Sequence, residues 1–155
     1  MPLPTAALWL LLLHAGATWF MTGLIWFVQV VHYPLAALVG AGEFRAYQAA
    51  HMARTGLVVG PPMLIELGTT ALLVFARPEG VPEWAPWAGA GLLAVVWVST
   101  ALFSVPAHGA LVEGYDAERI HTLVMTNFIR TIGWTLRAAL AAQMIVWAFE
   151  ARSGA

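Results

Sequence analysis

Four stretches of this chain, residues 6–33, 55–76, 87–112 and 120–149, stay apolar for at least the length of helix that crosses a bilayer. About 20 residues, rising about 1.5 Å each, span the roughly 30 Å of hydrocarbon. Lipid offers the backbone no hydrogen bonds, so a spanning segment of this length must satisfy its own N–H and C=O groups as a helix. The sequence therefore specifies an all-α fold, a single transmembrane domain spanning residues 1–155. A composition of 61% hydrophobic and 10% charged residues agrees, because a soluble domain needs a more polar surface. The opening run MPLPTAALWLLLLHAGA lacks a basic leader, and its apolar character continues through Val31. It reads as a retained first membrane helix rather than a signal peptide.

The connections set the arrangement. RPEGVPEWAP reads as a tight Pro- and Gly-rich turn, and EGYDAERI as a short acidic loop. Residues 34–54 are longer, and Phe44, Tyr47 and His51 fall at helical spacing, which predicts a short interfacial helix in loop one. Short loops join antiparallel neighbours, giving an integral membrane four-helix up-down-up-down bundle. Glycines at 16, 23, 56, 60, 68, 89, 91 and 133 suit close helix packing. Pro61 and Pro62 lie inside the second helix, where they remove two amide donors and predict a kink. Arg45, Arg54 and Arg119 on one side outnumber Arg77 and Arg152 on the other, so the positive-inside rule places both termini outside the cytoplasm.

Several polar groups fall inside these apolar helices, and such groups in hydrocarbon are expensive and lean towards function. Helical rise puts Glu66 about 15 Å and Arg137 about 18 Å from the side that holds the second loop, close enough in depth to pair. Thr18 and Thr100 come to similar depths. Near the opposite interface His32, His108, Asn127 and Arg130 share a level, and loop one delivers His51 and Arg54 to it. On the fourth helix Leu123, Asn127, Arg130, Trp134 and Arg137 share one face; Thr100, Ser104 and His108 do so on the third. Facing inward, the stripes outline a polar funnel that opens towards loops one and three. His14 reads as structural, and His121 with Glu113, Asp116 and Glu118 as a solvated loop. Most of the eight Trp residues read as interface belt and packing, with Trp84 and Trp87 at a helix start.

A net charge of -1 without a basic cluster argues against nucleic acid. With no Cys, a metal would have to use His and carboxylates. Glu66, His108, Arg130 and Arg137 are the catalytic candidates, with the guanidiniums polarising a substrate oxygen and Glu66 and His108 moving protons. His32, His51, Arg54, Thr100, Asn127 and Trp134 are candidates for binding substrate. His32, His51 and His108 are also a candidate set of metal ligands, for zinc, copper or iron.

SVPAHGAL followed by LVMTNFIRT resembles the paired signature of the anthrone-oxygenase-like family of small four-helix membrane proteins. In that family a Pro-x-Asn-x-x-Leu element ends the third helix and an Asn-x-x-Arg element lies on the fourth. The matching residues are Pro106, Leu111, Asn127 and Arg130, with His108 where the family has Asn. QVVHYP, HMAR and PPMLIE look closer to uncharacterised bacterial membrane proteins of the same layout. The resemblance implies a four-helix membrane fold and oxidative chemistry on a polycyclic or quinone-like substrate. Three readings stay open: a bacterial inner-membrane oxidoreductase acting on a small apolar molecule; a transporter of protons or a small anion, which at this size requires a homo-oligomer; and a haem-binding or accessory subunit, with His32 and His108 as axial ligands.

Overall fold

The computed structural model describes residues 3–153, and side chains from Ala6 onward. Four long helices pack as a bundle, and all four are long and apolar enough to cross a membrane. The protein is a multi-pass membrane protein. α1 runs Leu3–Phe27, passes through a π-turn at Val28–His32 and ends with Tyr33–Ala36. α2 is Phe44–Phe75. α3 runs Trp84–Ser99, passes through a π-turn at Thr100–Ser104 and ends with Val105–Leu111. α4 is Ala117–Ser153. The first and last described residues lie at one end of the bundle with the α2–α3 loop. The α1–α2 and α3–α4 loops lie at the other, here called the upper end.

The separate interfacial helix expected in loop one is not formed. Residues 44–54 are instead the first three turns of α2, which begins 11 residues before the expected Thr55. No Gly or Pro interrupts the chain between Phe44 and Thr55, so the helix has no reason to end there. Phe44 and Gln48 are buried against the bundle and hold this extension in place. α2 also continues as one helix past Pro61 and Pro62.

The two π-turns share a sequence feature. Each ends two residues before a proline, Pro34 in α1 and Pro106 in α3. At each, the backbone N–H preceding the proline bonds five residues back, Tyr33 to Val28 and Val105 to Thr100. Proline denies its own N–H to the ladder and its ring crowds the preceding turn, and a wider turn relieves both. On α3 the π-turn has a further effect. A spacing of four residues drifts by about 40° per step on a 3.6-residue helix, and the wider turn offsets that drift. Thr100, Ser104 and His108 consequently face a common cavity.

The ends are fixed locally. Gly80 (φ +83) makes the α2–α3 turn, packed so closely on α4 that a Cβ there would sit 2.5 Å from the Trp147 carbonyl oxygen. Asp116 caps α4, accepting the Arg119 backbone N–H at 3.0 Å and its guanidinium at 2.9 Å. The backbone hydrogen bond is the main cause holding its carboxyl below the usual range.

Candidate functional site

The polar side chains form two layers separated by Trp134. In the lower layer Glu66 is fully buried, and Arg137 pairs with it at 3.3 Å. Thr18 donates to Glu66 Oε1 and the Trp134 indole N–H to Oε2, both at 2.8 Å. Arg137 also donates to Thr70 Oγ1 and to the Gly89 carbonyl. The carboxylate thus faces donors from α1 and α4, as an ionised acid in a dry interior requires. Beside it His14 bonds Thr69 at 3.0 Å. Depth alone placed Thr100 in this layer, but the Thr100 hydroxyl bonds its own helix at Val96 O, and Thr70 takes the expected place.

In the upper layer Arg130 donates through Nε and Nη2 to the Asn127 side-chain oxygen, and through Nη2 to the Tyr33 hydroxyl at 3.1 Å. Asn127 donates in turn to Gln29. Gln48 donates through Nε2 to the His108 backbone carbonyl at 3.2 Å, which fixes which end of its amide faces His108. The same Nε2 lies 3.1 Å from His108 Nδ1, so Nδ1 accepts and the ring proton resides on Nε2. His108 Nε2 then donates to the Tyr33 oxygen at 2.9 Å. Because that oxygen accepts from both His108 and Arg130, the Tyr33 O–H is left without an acceptor among the described residues. Nearby His32 Nε2 bonds His51 Nδ1 at 2.8 Å, and Thr55 bonds the same His51 nitrogen at 3.0 Å.

This layer closes one end of a cavity of about 260 Å³. Tyr33, His51, His108 and Arg130 line its polar end, and Met21, Ile25, Val28, Met63 and Trp134 much of the remainder. The volume exceeds the roughly 150 Å³ that admits a single benzene ring. One apolar molecule of one or two fused rings fits it.

Charge pairing separates the two buried arginines. Arg137 has its carboxylate; Arg130, only 8% exposed, has no acidic partner among the described residues. Its Nη1 makes no hydrogen bond among them, yet is not sealed from space. A buried cation without a counter-charge is costly, and an anionic or carbonyl oxygen at the cavity's polar end would offset that cost.

Several expectations need correction. Glu66 and Arg137 do not line the main cavity; Trp134 stands between them and it, and the space beside Arg137 is about 10 Å³. Arg54 is exposed and borders a neighbouring groove instead. Asn127 does not line the cavity either, and acts through Arg130. The three imidazoles do cluster, with ring centroids 4.5 Å apart for His32–His51 and 5.1 Å for His51–His108. Yet among the described residues no three His, Cys, Asp or Glu side chains form a group that could hold a metal ion. Both ring nitrogens of His108 are taken by Gln48 and Tyr33, so ligation of a metal or haem iron there would break this network. Tyr33 and Gln48 were not singled out as candidates from the sequence. The only signal for Tyr33 was its position in HYP, directly before a proline that forces a wide turn.

Fold and site together define a four-helix membrane protein with a ligand-sized, mostly apolar cavity that Arg130, Tyr33 and His108 help to line. Comparisons with protein-family models, curated proteins and solved structures give no match.

Proposed function

We propose that this protein is a membrane-embedded enzyme of the bacterial inner membrane that acts on a small apolar molecule bearing a carbonyl or phenolate oxygen, a quinone being the type. The observation that carries this reading is the buried, acid-free guanidinium of Arg130 beside the free Tyr33 hydroxyl at the end of an apolar cavity. Arg130 Nη1 and Tyr33 O–H form a two-donor clamp for one oxygen, the arrangement that stabilises negative charge on it. Tyr33 gives up its proton as that charge grows, and the hydrogen bonds from His108 Nε2 and Arg130 Nη2 stabilise the tyrosinate until it is reprotonated from water. Oxidoreductase chemistry fits such a substrate: the ring exchanges electrons with a flavin- or haem-class partner as co-reactant, while Tyr33 supplies the proton and His108 holds the Tyr33 oxygen by a hydrogen bond. The resemblance to anthrone-oxygenase-like proteins through Asn127 and Arg130 supports the same reading, since Asn127 holds Arg130 in place. Glu66 and Arg137 then brace the cavity floor through Trp134.

Transport is less well supported, because Glu66 and Arg137 do not line the cavity and the space beside Arg137 is only about 10 Å³.

The test is binding of hydroxynaphthoquinone, anionic at neutral pH, to purified protein in lipid nanodiscs, with mass spectrometry of molecules that co-purify. Arg130→Met and Tyr33→Phe should each weaken binding about 10-fold or more, given hydrogen bonds of about 1.5–3 kcal/mol to charged groups. Unchanged affinity in both variants would remove the basis of the proposal.

A further inference from the structure

The main cavity does not stand alone. A groove of about 180 Å³ lies between α1 and α2 and shares five lining residues with it, Leu24, Val28, His51, Thr55 and Val59. Its outer rim is formed by Phe27 and Val58, which are 53% and 48% exposed on the surface that faces lipid. The two spaces therefore adjoin across these residues, the main cavity lined by Arg130 and the groove bordered by side chains exposed towards the bilayer. A polar ligand from water gains nothing from such a side exit, whereas a molecule already dissolved in lipid needs one.

We infer that the substrate is a lipid-tailed molecule whose ring occupies the main cavity and whose hydrocarbon chain leaves through the α1–α2 groove past Phe27 and Val58. This rests on the proposed function and narrows its substrate class. The chain gains little free energy in the groove, because the surrounding lipid is equally apolar. The groove instead lets the ring reach Arg130 without folding the chain back into a space of about 260 Å³. His51 and Thr55, whose hydrogen bond lies on the shared wall, mark the neck between ring and chain.

The experiment compares hydroxynaphthoquinone with its undecyl-substituted form, in nanodiscs, on wild type and on Val58→Trp. Val58 faces lipid, so a larger side chain there obstructs the rim without entering the packed interior. Val58→Trp should weaken the undecyl ligand by ~10-fold or more, as overfilling a fitted space does, and leave the unsubstituted ring within about 2-fold. An undecyl ligand carrying a diazirine on its chain should label Phe27 and Val58, a readout independent of how the variant folds. The inference is overturned, with the proposed function intact, if the ring binds in an Arg130-dependent way while Val58→Trp affects both ligands alike. It is equally overturned if the chain's label falls on Gly56 and Val105, the other exposed rim of the main cavity. If neither ligand binds wild type, the proposed function fails and this inference falls with it.

Discussion

The indole N–H of Trp134 donates to Glu66 Oε2 at 2.8 Å while the same ring helps to wall the main cavity. One side chain thereby joins the ion pair to the ligand space and keeps them apart. Glu66 and Arg137 pair with each other, whereas Arg130, about two turns along the same stripe, has no acidic partner among the described residues.

That difference gives opposite expectations for the two arginines. Arg137→Met leaves the Glu66 carboxylate buried without its cation and should destabilise the protein by about 3–5 kcal/mol. Adding Glu66→Gln should recover part of the loss. Unfolding in mixed detergent micelles, run as a double-mutant cycle, measures both, and an additive cycle would show that the 3.3 Å pair is not coupled.

Arg130→Met should cost much less, and unliganded protein should retain or gain stability, because an acid-free buried charge is removed. The same unfolding assay checks this. A loss as large as that of Arg137→Met would mean that Arg130 has a partner in the fold that outweighs its desolvation.

Gly80→Ala should destabilise by about 1–3 kcal/mol, since φ is +83 and the new Cβ would collide with the Trp147 carbonyl and Ala151. Gly23→Ala is the control. Nothing lies within 4 Å of that position, and alanine should add about 0.5–1 kcal/mol of helix stability. Thermal unfolding of the two variants should therefore shift in opposite directions.

Reporter fusions at the two ends should give the same compartment, since the first and last described helical residues share one end of the bundle. The arginine balance predicts that both signals are extracytoplasmic. Signals of opposite type from the two fusions would contradict the four-span topology; cytoplasmic signals from both would reverse the orientation alone.

The sequence by itself determined how many times the chain crosses, and it brought Glu66 level with Arg137 and His32 level with His108. Hydropathy and helical rise are local quantities, and each segment carries them whatever its neighbours do. What the tertiary structure decided was which groups meet across helices. Glu66 and Arg137 satisfy each other behind Trp134, and Arg130 is left facing an apolar cavity. Tyr33 joins Arg130 to His108, although its own segment offered no more than its place before Pro34. The π-turns before Pro34 and Pro106 reset the rotation of α1 and α3 where the site is built. Residues 44–54 of loop one became the first three turns of α2, and Phe44 and Gln48 find cover there on the bundle. Rotation about a helix axis and the pairing of side chains depend on all four helices at once, so periodicity within one helix could not supply them.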